Sequence, residues 1–183
     1  MTIPRVVGVD LSLTSTGLAD SHGATDRYRT KPTKSPGLLD DLGRIERITH
    51  AVSMFSAFGP EGWSAALVVI EGPAFSRGGM GGQHVRAGLW WAIAARLSSH
   101  DVLRLLIVPP NVRAMYATGR GNAGKDEVLA AAIKRYPAWD ITGNDVADAV
   151  ILAAIGARLL GHPVDDVPKT HLRALAKVTL PTT

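Results

Sequence analysis

Four acidic residues occupy positions where a carboxylate could do chemistry. Asp10 closes the apolar run RVVGVD, Glu71 closes AALVVIEG, and Asp145 and Asp148 head the greasy segment NDVADAVILAA. Losing the hydration of a carboxylate costs several kcal/mol unless something compensates. Asp145 and Asp148 are three apart, so on a helix they lie about 60° apart around the axis and one turn along it. Both can face one point. Carboxylates gathered there would repel one another, and some would protonate, unless cations sat between them. Mg²⁺, with Mn²⁺ as a substitute, takes oxygen ligands and suits an acidic cluster lacking Cys and His. Two such ions about 3.5–4 Å apart clamp the attacking water and the leaving oxygen of a phosphodiester displacement.

Structural readings stand beside the chemical one. An Asp after a strand caps turns, and DLSLTSTG allows that for Asp10. An Asp at a helix start serves as cap or dipole partner, which suffices for Asp145. Asp148 is harder to absorb this way, because it falls a turn inside an apolar helix. Glu71 follows LVVI directly, with only Gly-Pro beyond.

The elements that must position these acids follow from periodicity. RVVGVD (5–10) reads as a buried strand, LTSTGLAD as a second and ATDRYRT as a third, more exposed one. Gly17 in the second strand permits close packing. Leu38, Leu42, Ile45, Ile48, Val52 and Phe55 recur at helical spacing. AALVVIEG (65–72) is another strand, HVRAGLWWAIAARLSSH a helix, and VLRLLIVPP a strand stopped by two prolines. SRGGMGGQ and GRGNAG are loops. KDEVLAAAIKRYP carries acids in its first turn and bases in its last, as a helix dipole prefers. Residues 144–160 form a core helix, and 169–178 a short basic one. A meander followed by alternating helices and strands predicts an α/β fold. Its five-stranded mixed sheet, antiparallel then parallel, is flanked by helices. One domain is expected over 1–183, with its core at about 4–160 and a basic tail at 161–183.

Bulk properties agree. The chain has 183 residues, 46% hydrophobic and 20% charged, without cysteine. That excludes disulfides and thiolate metal sites and fits a reducing cytosol. MTIPRVVGVD lacks the apolar core of a signal peptide, and no stretch is long enough to span a bilayer. A cytoplasmic protein without membrane partners is therefore expected. The charge of +4 and pI of about 9.7 suit a polyanionic partner.

At these residues the chain resembles the RuvC family of Holliday junction resolvases, in the ribonuclease H-like superfamily, and a phage-type member in particular. VVGVDLSLTSTGLA, LVVIEGPAF, GKDEVLAAAIKRYP and NDVADAVILAAIG carry the likeness, in that order, over most of residues 5–160. The resemblance implies Asp10, Glu71, Asp145 and Asp148 as ligands of divalent metal. It implies phosphodiester hydrolysis leaving a 5′-phosphate and a 3′-hydroxyl, and a homodimer nicking a four-way junction symmetrically. Lys125 falls where the family carries a basic residue important for activity. Arg113 matches a second such position, where lysine is expected; arginine keeps the charge but changes the hydrogen-bond geometry. The chain departs from the family in DLSLTSTG, where D-P-G is usual, and in Gly-Pro after Glu71, where Gln is usual. Phe75 lies one place beyond the family's wedging aromatic.

Phe75 serves equally as a plug under its loop or as a base-stacking group. Arg77 and Arg120 are candidate phosphate contacts or ordinary solvated residues. Trp90 and Trp91 belong to core or dimer interface, and His84 is structural. The leading reading is a metal-dependent endonuclease resolving branched DNA, with general branched-DNA or fork cleavage as its alternative. A non-catalytic branched-DNA-binding module is a second class. An actin-like nucleotide-binding protein is a third, disfavoured because that fold needs two domains. Placing Asp10 or Glu71 far from the last helix, or stapling the cluster shut with arginines, would defeat the nuclease reading.

Overall fold

Two neighbouring apolar runs organise the protein: VVGVD and LVVIE form parallel strands side by side at the centre of a sheet. The computed structural model describes residues 3–31, 37–59, 64–73, 82–99 and 104–181. Its strands are β1 (Val6–Asp10), β2 (Ser15–Asp20), β3 (Thr25–Arg29), β4 (Leu67–Glu71) and β5 (Arg104–Val108), in the spatial order β3-β2-β1-β4-β5. β3, β2 and β1 pair antiparallel, and β1, β4 and β5 pair parallel. The helices are α1 (Leu38–Ala57), α2 (Gln83–Ser98), α3 (Pro110–Thr118), α4 (Lys125–Arg135), α5 (Asn144–Leu159) and α6 (Lys169–Leu172). A 3₁₀ turn at Arg173–Lys177 follows α6. None of the helices among the described residues is long and apolar enough to cross a membrane.

The central strands β1 and β4 lack polar alternation because both faces of the sheet are covered there. Val6, Leu67, Val69, Leu106 and Val108 pack toward α3, α4 and α5; Val7, Val9, Val68 and Ile70 pack toward α1 and α2. This period of two decides where the acids point. Asp10 continues the series Val6–Gly8, and Glu71 the series Leu67–Val69, so both fall on the α5 face. The register Val9↔Ile70 makes them neighbours across the β1–β4 pair.

Helix α5 is buried on every side from Val146 to Ala157, which explains its all-apolar composition. It lies directly against β1 and β2 because glycine lets it. A Cβ on Gly8 would stand 2.0 Å from the carbonyl oxygen of Ala149, and one on Gly17 2.0 Å from that of Asp145. Gly17 pairs with Asp10 in the sheet. The absent side chain therefore lets the head of α5 settle beside the end of β1. We expect Gly17→Ala to destabilise the fold by about 3 kcal/mol, read as a lower urea midpoint, since backbone, not a pliant side chain, must give way.

Three expectations need correction. The prolines after β5 do more than stop the strand: Pro110 takes the first position of α3, where its missing N–H costs nothing. That helix was absent from the sequence reading. In α1, Leu38 and Leu42 belong to the apolar series but are 75% and 51% exposed, while Arg44 is buried and donates to the Leu13 carbonyl. The helical stripe is real from Ile45 onward, where Ile45 packs with Ile48 and Val52, and its first turn faces out. Residues beyond 160 join the core: Val167 and Ala174 are buried with α3 and α5. Asp165 accepts hydrogen bonds from the hydroxyls of Tyr116 (2.8 Å) and Tyr136 (2.5 Å) and from Arg158 (2.9 Å), tying α3, α4 and α5 together.

Candidate active site

Beyond the ends of β1 and β4, the head of α5 closes over the sheet. Asp10, Glu71, Asp145 and Asp148 come from three elements distant in sequence, and their charges interact. Asp10 is 9% exposed and Asp148 2%; Glu71 and Asp145 are half-buried. Burial pushes the Asp10 carboxyl well above its ordinary range, Asp148, Glu71 and Asp145 add to the rise, and Arg113 opposes it. Asp148 is pushed up to about 6, by burial first, with Glu71 adding and Arg113 and Lys125 opposing. Asp145 accepts a hydrogen bond from the Ser15 hydroxyl at 2.5 Å, so β2 fixes its orientation.

Arg113 stands in the middle of the group. Its Nε donates to Glu71 Oε1 at 2.6 Å and its Nη1 to Asp148 Oδ1. Burial acts to lower the guanidinium's pKa, and Asp148 and Glu71 more than restore it, so its proton is held more tightly than usual. One turn of α3 delivers this side chain, because the helix starts immediately after β5 and β5 pairs in register with Glu71. One arginine thus does enter the cluster. It joins two of the four acids and leaves Asp10, which has no hydrogen-bond donor among the described residues, and Asp145.

Other anticipated residues are dispersed. Lys125 begins α4, exposed, close enough to act on Asp148. Arg120 is exposed and paired with Glu127 at 2.6 Å. Phe75 and Arg77 lie outside the described residues. Trp90 is half-buried and its indole N–H donates to the Glu71 carbonyl at 3.1 Å, while Trp91 is 68% exposed. His84 is exposed at the start of α2. Sequence alone does not single out Ser15; its one signal is its place at the start of β2, shortly after Asp10.

Among the described residues no group of three or more His, Asp or Glu side chains encloses a point where an ion would sit. The Arg113 guanidinium lies between two of the acids, bonded to both Glu71 and Asp148. In donor type the cluster fits a hard divalent cation: only carboxylate oxygens, mostly buried, with four acids against Arg113 and the outlying Lys125.

A mixed sheet in the order 3-2-1-4-5, with acids at the central strand ends under a helix, defines a ribonuclease H-like fold. Among solved structures, Thermus thermophilus RuvC superposes with a TM-score of 0.61 at 18% identity, covering 88% of this chain and 99% of that one. T. thermophilus RuvC in complex with Holliday junction substrate gives 0.55 at 19% identity, covering 82% and 90%. The chain therefore has a RuvC-like fold. No family model matches it, and no curated protein does.

Proposed function

We propose that the chain is a divalent-metal-dependent endonuclease that resolves four-way DNA junctions, acting as a homodimer. The observation that carries this reading is the convergence of Asp10, Glu71, Asp145 and Asp148 on a RuvC-like fold, with Asp10 buried and without a hydrogen-bond donor among the described residues. Natural folds seldom bury repelling carboxylates without a cation to answer them. Asp10, Glu71, Asp145 and Asp148 would hold Mg²⁺ or Mn²⁺, which supplies an activated water and polarises the phosphate. Ser15 keeps Asp145 aimed inward. Arg113, once drawn off Glu71 and Asp148, and Lys125 offer donors to the phosphate oxygens as charge develops there. Affinity for the junction backbone rests on such cations and falls steeply with salt.

The test is direct. Labelled four-way, three-way, flap and linear DNA are incubated with the protein in Mg²⁺ or Mn²⁺ and the cuts mapped. Paired nicks in the four-way substrate, leaving 5′-phosphate and 3′-hydroxyl ends, are expected. Equal cutting of all branched substrates would favour the broader branched-DNA nuclease. No cutting of any would sink the proposal.

Arg113 favours one second reading. A guanidinium bonded to two of the acids is also what a non-catalytic branched-DNA-binding module would carry, its former site neutralised. Junction binding without cleavage in either metal distinguishes that case.

A further inference from the structure

Asp10, Gly17 and Arg27 stand opposite one another across β1, β2 and β3, and Ser15 stands opposite Arg29. Neighbouring strands are about 4.8 Å apart, so β3 lies about 10 Å from the strand that ends in Asp10. Side chains alternate along β3: Tyr28 packs toward α1 and α2, which turns Thr25, Arg27 and Arg29 to the α5 face. There they line a groove of 310 Å³ together with Thr142 and Val146 at the head of α5. The two arginines differ in what they hold. Arg27 is half-buried, and its Nη1 donates to the Thr142 carbonyl at 3.2 Å, tying β3 to the segment that enters α5. A Cβ on Gly143 would come within 2.9 Å of that nitrogen, so the glycine keeps its path clear. Arg29 is exposed and makes no hydrogen bond or ion pair among the described residues. The Ser15 hydroxyl beside it, not Arg29, holds Asp145.

Asp26 and Asp140 also border the groove and balance the arginines in formal charge. Asp26 is engaged elsewhere, accepting from the backbone N–H of Arg27 at 2.7 Å. The groove therefore attracts an anion by one free guanidinium fork rather than by bulk charge, and that fork matches phosphate bidentately. We infer that Arg29, with Arg27 fixed behind it, binds a backbone phosphate of the duplex arm beside the cut, at the outer edge of β3. The inference rests on the nuclease reading and adds a contact to it. The occupant follows from position. β3 is an edge strand, and the exposed Arg29 and Thr142 open the groove to solvent, so an intact duplex reaches it. A backbone that meets the acids passes the groove within a few nucleotides, each rising about 3.4 Å.

Four-way junctions carrying one neutral methylphosphonate linkage, moved stepwise along each arm, test this by anisotropy in Ca²⁺. One arm position should weaken wild-type binding by about fivefold, less than a full charge-assisted hydrogen bond because the groove is open to water. Arg29→Gln should weaken binding of the unmodified junction by the same factor. It should also reduce the penalty at that position to below about twofold, and flatten the salt dependence of affinity by about one charge. Arg29→Lys should restore part of both, since the ammonium keeps the charge without the fork. Tolerance of a neutral linkage at every arm position, read on wild type alone, overturns the subsite while leaving the nuclease reading intact. So does an undiminished penalty at every sensitive position in Arg29→Gln. A failure of wild type to bind any junction overturns both.

Discussion

Asp148→Asn should bind a four-way junction within about threefold of wild type yet nick it about 10²–10³-fold more slowly in Mg²⁺, the loss typical of removing one stabiliser of developing charge. Single-turnover cleavage at saturating protein reads this directly. The amide keeps the shape of the side chain and can still accept from Arg113, so the packing of α5 survives; what goes is the negative charge. Acidity should imitate the mutation. Without metal the Asp148 carboxyl is pushed up to about 6, so protons compete with Mg²⁺ for it, and nicking at limiting Mg²⁺ should decline as pH falls and recover as Mg²⁺ is raised. The sign for stability is opposite. The folded state holds this proton more tightly than the unfolded chain does, where the carboxyl titrates near 3.8. On this group's account, metal-free stability falls as pH rises from about 4 through 6. Melting curves in EDTA should show that fall, and Mg²⁺ should remove it.

The second large effect belongs to Arg113. Arg113→Ala strips the hydrogen-bonded cation from Glu71 and Asp148, two carboxylates already short of water. Breaking a buried pair by deleting one partner costs about 3–5 kcal/mol, so the metal-free variant should unfold at a markedly lower denaturant concentration. Under the nuclease reading Mg²⁺ takes over the pairing, and saturating Mg²⁺ should recover more than half of the deficit while nicking stays depressed. Arg113→Lys should recover stability in part, since an ammonium is a point charge without the guanidinium's fork. If Mg²⁺ shifts neither wild type nor variant in denaturant melts, Arg113 is a permanent counter-ion and the site holds no metal.

The acids were legible because each breaks a strong pattern. Asp10 and Glu71 end apolar runs, and Asp148 interrupts one. A period of two in the strands and the buried length of α5 then leave few arrangements in which they could be apart. Arg113 was legible only by resemblance, as a phosphate contact. That it lies among the acids depends on α3, whose nine residues begin with a proline that reads from sequence as a stop. The exposed leucines of α1 show the converse failure: helical spacing says that residues share a face, not that anything covers it. Ser15 touches Asp145 across 130 residues, a contact that no local pattern encodes.

The glycines beneath α5 carry a consequence for how the protein fails. Backbone rests on backbone at Gly8 and Gly17, with the acids at the edge of that seam. Such a seam has no intermediate spacing: it is closed or it is lost along with the centre of the sheet. Amides of β1 and α5 should accordingly exchange with deuterium only through global opening, and thermal inactivation should track the collapse of the whole molecule, with no inactive yet folded stage before it.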